Sequence, residues 1–455
     1  MKNIYQSLLA FCCLYCTTLT AQTNVPANIS VSQTWNLAGS PYTISQNTVI
    51  DSGVLLSIEP GVKIVSNGLF QLQVKGGVRS VGKIDSLIEM NQVEMTFEQS
   101  SMDYQFGNRT GSCFMFTKFT GDGGVNSKTI NLKNTSLLVN NCKFIDCYYG
   151  IVSQTFNDDT AILEVVASNF ENISGNYDFA IMAVGGNNIL VVDKCQFNYI
   201  YSISSPANFS LTRSDFNHVK STSGIPLDNA WKGFPAYINI ACNTFKNFSG
   251  VVFNAYYLDS GTTLNMQDNT FDSSDYFIWF YVGSFTNNFK GQIKNNNFLN
   301  SRIYDVKFSG ASVRRGKFLD FSMANNYWGT IDTNQIKSQI YDFRTDTGSC
   351  FKVNFSPYNS QSNPDCNQTF SVIKPVKKVE VTIYPNPANH MFSVSLSKPQ
   401  PSEIKLFNLF GQMIGKWTVD EQLTDIPCDN LNPGMYLVTI EQGGVQFSQI
   451  LIINR

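Results

Sequence analysis

At 455 residues, 43% hydrophobic and only 15% charged, the chain is long enough for more than one structural unit and too apolar to be disordered. Its net charge of −2 argues against an electrostatic grip on nucleic acid, and 35 Phe and 20 Tyr against 5 Trp favour strands.

Residues 1–21 read as a secretory signal. Lys2 gives a positive start, Leu8 to Leu19 a mostly apolar stretch, and Thr20-Ala21 the small residues that suit cleavage. Tyr15 before Cys16 does not fit a lipoprotein cleavage box, so lipidation is not expected. No later run approaches the ~20 apolar residues of a membrane span, so the mature chain is expected to have no transmembrane segment. Of the eleven cysteines, Cys12, Cys13 and Cys16 leave with the signal, and the rest face an oxidising setting. None forms a C-x-x-C pair and the chain has 2 His, so no metal site is expected.

From Trp35 to Met90 short apolar runs alternate with turns at Gly53, Pro60-Gly61, Gly68, Gly76-Gly77 and Gly82. This stretch resembles the opening coils of bacterial secreted β-helix proteins. It also nearly spells a phosphate loop, with Gly77, Gly82 and Lys83 correctly spaced. Ile84 then stands where a Mg-binding Ser or Thr belongs, and no helix pattern follows, so the match is a coincidence.

The chain next repeats a phrase of small polar residues followed by an aromatic ring. The anchors are Phe144, Phe170, Phe197, Phe216, Phe245, Phe271, Phe298 and Tyr327, between 19 and 29 residues apart. Two positions before them stand Cys142, Ser168, Cys195, Ser214, Asn243, Asn269, Asn296 and Asn325. Such a period marks a stacked-repeat fold, and it predicts a right-handed parallel β-helix of residues 22–370 with coils about 4.8 Å apart. In that fold the asparagines take the left-handed conformation of a sharp turn and bond to the same amide of the next coil, while the rings stack inward. Ile173, Ile200, Val219 and Phe248, three past their anchors, begin the next wall. A leucine-rich repeat has a similar period, but its L-x-x-L-x-L phrase is missing from the sequence.

Asn325 to Thr330, "NNYWGT", ends the series and resembles the last coil of such proteins. Ile336, Ile340 and Tyr341 suit a short amphipathic capping helix, which would cover open strand edges. Cys350 and Cys366 flank the final strand and are the candidate disulfide. Cys142 and Cys195 lie two coils apart, roughly 10 Å, too far to bond.

After a linker at 371–378 the pattern changes. Residues 379–455 alternate strands with Pro/Asn/Gly turns, as a small antiparallel β-sandwich does. Tyr384-Pro385-Asn386-Pro387, Asn408 to Gln412 with Gly411, Gly434-Met435-Tyr436-Leu437 and the closing strand Ile450 to Ile453 fall in a characteristic order. Through these residues the segment resembles the type A C-terminal sorting domain of the type IX secretion system of Bacteroidetes bacteria. The resemblance implies type IX secretion machinery as a partner and a secreted or outer-surface location.

The chemistry is less legible. Many exported β-helices cleave acidic polysaccharides, and a lyase would need clustered carboxylates for Ca²⁺ with a basic residue nearby. The candidates are Asp158 and Asp159 in a turn after Phe156, and His218 beside Phe216. The motif residues of polygalacturonases and pectate lyases are missing, which favours exposed turns for all three. Arg314, Arg315 and Lys317 form a small basic loop. In "DYFIWFYV", Asp275 to Val282, strict alternation puts Ile278, Phe280 and Val282 inside and Phe277, Trp279 and Tyr281 outside. With Tyr256 of the adjacent coil these are the candidate sugar-stacking residues. The expected function is non-catalytic binding of a glycan or surface protein, without a cofactor. The alternative is a polysaccharide lyase or glycoside hydrolase, with Ca²⁺ if a lyase.

Overall fold

Short runs with a two-residue period, each closed by a turn, can satisfy their backbone groups only by pairing with the equivalent run of the next coil. A computed structural model shows this arrangement. It describes residues 22–453 apart from 101, 106–109, 122–125, 157–158, 174–178, 186–187, 205–207, 228–236, 256–261, 282–289, 310–318, 348, 350, 365, 367–380, 397–398, 409–412 and 443–444. The expected signal (1–21) and linker (371–378) lie outside the described residues. Two compact units divide the chain, the first comprising Met1–Asp103 and Ser112–Asn363 and the second Tyr104–Gly111 and Pro364–Arg455.

The first unit is a parallel β-solenoid. Every third strand pairs, so each coil contributes one strand to each of three walls. A twelve-stranded sheet runs from Thr23–Asn24 to Asn297–Leu299, and an eleven-stranded sheet from Gln33–Trp35 to Lys290–Lys294. The third wall is an eight-stranded sheet ending at Ser202–Ile203, followed by a five-stranded sheet that begins at Ile225–Pro226. The register is regular, with Phe144 opposite Phe170, Phe170 opposite Phe197 and Phe271 opposite Phe298.

That register builds one continuous ring stack inside the coil. Phe119, Phe144, Phe170, Phe197 and Phe216 follow one another at centroid distances of 4.6, 4.7, 5.0 and 4.4 Å, all nearly parallel. Phe245, Phe271 and Phe298 continue at 5.2, 5.1 and 5.3 Å. Each neighbouring pair adds about 0.5–1.5 kcal/mol beyond the burial of its rings. At the last rung Trp328, and not Tyr327, takes the ring position, 4.8 Å from Phe298 and 1% exposed.

The polar ladder beside the stack holds the expected residues from Cys142 to Asn296, but the left-handed turn lies one residue before it. The left-handed turn position, three before the anchor, holds Asn141, Ala167, Lys194, Arg213, Cys242, Asp268, Asn295 and Asn325, with φ between 48° and 62°. The next residue is buried, and where it is Ser or Asn its side chain accepts the N–H of the ladder residue one coil back. Ser168 Oγ accepts from Cys142 N at 3.0 Å, Asn243 Oδ1 from Ser214 N at 2.9 Å, and Asn296 Oδ1 from Asn269 N at 3.0 Å. The series ends on Asn326, whose Oδ1 accepts from Asn296 N at 2.8 Å, so Asn325 is the turn residue and Asn326 the rung. Cys142 and Cys195 are free, buried rungs, and burial pushes both thiols up to about 12.

The cap is a short helix, Thr333–Ser338, whose N-terminal donor Asn334 N is held by the Asp332 side chain at 2.8 Å. Its Ile336 is fully buried, while Ile340 and Tyr341 form a strand on Val306 and Lys307 instead of continuing the helix. Among the described residues the disulfide-bonded cysteines are Cys242 and Cys366. Cys350, the expected partner of Cys366, lies outside the described residues. Cys242 occupies the half-buried left-handed turn position at φ 60°.

The second unit has two antiparallel sheets. One combines Val381–Tyr384, Met391–Leu396 and Leu423–Pro427, and the other combines Ser402–Asn408, Met413–Val419, Gly434–Gln442 and Val445–Ile453. Ile383, Phe392, Val394, Ile404, Leu406, Val438 and Leu451 are among the residues of its core. The Tyr384 to Pro387 turn is tied to the last strand. Asn386 Oδ1 accepts from Ile452 N at 2.8 Å, and Ala388 N donates to Ile452 O at 2.8 Å. Tyr436 Oη donates to Asn432 O at 2.9 Å, and Gly434 sits at φ 151°, a conformation that suits glycine. Gly411 lies outside the described residues.

Candidate functional site: an aromatic face on the five-stranded sheet

Strand Tyr276–Tyr281 breaks the alternation that its sequence suggests. Val251, Tyr276 and Tyr304 share one register position, and Phe253, Ile278 and Val306 share the next paired one. The residue between them turns inward at a bend, so Phe277 and Ile278 are both fully buried. Phe277 lies 5.9 Å from Phe298 and 5.6 Å from Phe271, inside the ring stack. It is therefore a core residue and not a ligand contact, a correction to strict alternation. Tyr276 takes the outward place instead.

The outward residues come together because their coils are in register. Trp279 lies opposite Lys307, and Lys307 opposite Tyr341. The Lys307 ammonium sits 4.0 Å from the Trp279 ring centroid, 5.1 Å from Tyr276 and 5.6 Å from Tyr341. Tyr304 packs on Tyr341 at 5.4 Å and on Tyr276 at 6.3 Å. Trp279 Nε1 donates to Ser309 Oγ at 2.6 Å, which fixes the indole plane. Tyr281, at the end of the strand, is 37% exposed. Tyr256 lies outside the described residues.

The electrostatics follow from partial burial. Burial lowers the Lys307 pKa, while the ring faces around it favour the cation. Burial, then Asp275, pushes the Tyr276 phenol up; burial, then Asp346, does the same to Tyr341. Both phenols are thus neutral donors near pH 7. Asp275 itself is held by Arg302 at 2.6 Å. The arrangement can stack an apolar ring face and donate hydrogen bonds around it, which is how proteins hold sugars.

Asp159 and His218 do not come together. Asp158 lies outside the described residues. Asp159 is exposed and its Oδ2 accepts from Asn134 Nδ2 at 2.7 Å. His218 is exposed in a left-handed turn (φ 57°) and stacks on Tyr199 at 4.6 Å. That turn belongs to a regular column with Asp146, Asn172, Tyr199, Asn247, Ser273 and Asn300 at φ between 54° and 59°. Asp159 follows a third-wall strand, and His218 a strand of the twelve-stranded sheet three coils further on, about 14 Å along the stack. Arg314, Arg315 and Lys317 lie outside the described residues.

Residues 382–454 match the family model of the secretion system C-terminal sorting domain. The chain carries a type IX secretion sorting domain. That domain directs the protein to the cell surface or the extracellular space and implies the secretion machinery as its partner. No curated protein matches the chain. Among solved structures, the solenoid is similar to PfbA, a surface adhesin of Streptococcus pneumoniae, at 10% identity and a TM-score of 0.33. The similarity covers 62% of this chain and 84% of that one.

Proposed function

We propose that this exported solenoid is a non-catalytic binder that engages glycans at the outward face of its five-stranded sheet. The observation that supports the reading is the gathering of Tyr276, Trp279, Tyr304 and Tyr341 around Lys307 on one surface of consecutive coils. Pyranose rings stack on such side chains, and the phenol and indole edges supply donors. The reading calls for no cofactor, and it leaves Asp159 and His218 as turn residues.

The test is a panel of immobilised polysaccharides incubated with the purified chain, followed for retention and for release of reducing or unsaturated ends. Retention without release is expected, with Trp279→Ala weakening it about tenfold on the glycan bound at this face, the scale of one lost aromatic contact. Released product would overturn the non-catalytic reading in favour of a lyase or hydrolase. Retention unchanged by Trp279→Ala on every glycan of the panel would remove this face as the site.

A further inference from the structure

A second surface feature lies on the twelve-stranded sheet. The near phosphate-loop phrase at Gly77 to Lys83 ends in a tight turn, with Lys83 N donating to Ser86 O at 3.1 Å and Ser86 N to Lys83 O at 3.0 Å. Its base is clamped to the next coil. Gly82 N donates to Met115 O at 2.9 Å, and a Cβ on Gly82 would stand 2.4 Å from Phe116 O, so only glycine lets the turn approach this closely. The turn projects Ile84, which is 84% exposed, and with Leu87 it forms an apolar lip. Beneath the lip is a groove of about 460 Å³ whose floor includes Lys143, Asn169, Lys194 and Gln196.

These floor residues come from three successive coils, since Lys143, Asn169 and Gln196 share one register position. Lys194 is the left-handed turn residue two positions before Gln196, so its side chain is displayed by the turn. No carboxylate is among the described lining residues. The nearest acid in the chain to Lys194, Asp193, is neutralised by Arg213 in a fork at 2.8 and 2.6 Å. The groove therefore pairs an apolar edge with amides and two ammonium groups, with the exposed Asp215 one coil beyond Gln196 at the same register position.

We propose that this groove binds a short segment of an anionic polysaccharide, with carboxylate or sulfate groups on Lys143 and Lys194, hydroxyls on Asn169 and Gln196, and a ring face on Ile84. Coils repeat every ~4.8 Å, so the three floor coils span roughly 10 Å, the length of two sugar residues in an extended chain. The proposal rests on the glycan-binding reading but uses a different surface from the aromatic face, and the two fail separately.

The experiment measures binding of the full chain to polygalacturonate, to chondroitin sulfate and to neutral cellohexaose. The variants are Lys143→Gln combined with Lys194→Asn, the second chosen because Asn accepts a positive φ, and Trp279→Ala. The double variant should lose about tenfold in affinity for the acidic glycans and keep its thermal midpoint, while Trp279→Ala retains acidic binding. Wild-type binding should also weaken as NaCl rises, because exposed charges are screened. The two acidic probes separate a carboxylate from a sulfate preference. Acidic binding that survives in the double variant, or is lost in Trp279→Ala, overturns the groove and leaves the aromatic face standing. Neutral glycan binding that falls in the double variant as much as acidic binding does also overturns it. No binding to any of the three removes the groove, while a wider panel still tests the glycan reading.

Discussion

At the ladder corner of the solenoid the buried Asn296 has every polar atom occupied. Its Oδ1 accepts from Asn269 N and Nδ2, and its Nδ2 donates to Met266 O, Lys294 O and Asn326 Oδ1, all between 2.9 and 3.0 Å. Nine residues later, at the bend of the five-stranded sheet, the equally buried Asp305 stands where earlier coils place Val252 and Phe277. Its Oδ2 has no hydrogen-bond partner, and neither does Gln339 Oε1 of the cap, to whose backbone Asp305 N donates at 2.8 Å. Burial pushes the Asp305 carboxyl up to about 7. The difference teaches that a buried polar side chain stabilises a repeat when the neighbouring coils supply its partners, and costs stability when the position was shaped for hydrocarbon.

Breaking the satisfied corner should have the larger effect. Asn296→Ala strands the Asn269 N–H and removes two carbonyl contacts, for a loss of about 5 kcal/mol that urea unfolding would report. A loss below about 1 kcal/mol would show that water replaces the ladder.

The unsatisfied corner sets a pH dependence. The folded carboxyl titrates near 7 and the free one at 3.8, so the folded state holds the extra proton between these values. Stability should therefore fall as pH rises from about 4 to about 7 and level off above, by at most about 4 kcal/mol. Asp305→Asn should flatten that slope and raise the melting temperature at pH 8. A wild-type stability that climbs over the same interval would contradict the contrast between the two corners.

A smaller change sharpens the same comparison from the weak rungs of the ladder. Cys195 holds its rung through sulfur, a weak donor, with Sγ 3.4 Å from both Val165 O and Asp193 O. Cys195→Ser should match or exceed wild-type stability by about 1 kcal/mol in thermal unfolding. The smallest effect is expected at His218, whose exposed ring rests on Tyr199. His218→Ala should change stability by less than about 0.5 kcal/mol and leave glycan retention untouched.

The solenoid was largely legible because its repeat is written in side chains. A ring every coil and a small polar residue beside it need no distant information, since each coil meets a near copy of itself. The sorting domain was legible through Tyr384 to Pro387 and Gly434 to Tyr436, whose turn and backbone demands are local. Phe277 was misplaced because strict alternation assumes a straight strand, and the bend between Tyr276 and Ile278 exists only where the third wall turns a corner. The groove was hidden because Ile84 lies more than fifty residues before Lys143, and the phrase around it looked like a failed phosphate loop.

The sequence by itself determined a parallel solenoid of stacked coils, its ring stack and polar ladder, and a C-terminal module for export. Those features follow from periodicity and local turn chemistry. Only the tertiary structure decided which residue of each Asn pair takes the turn and which the ladder, that Trp328 closes the ring stack, and that Lys307 and the tyrosines meet on one face. Each of these depends on register between coils, and a one-residue shift in register exchanges the buried and exposed faces of a strand.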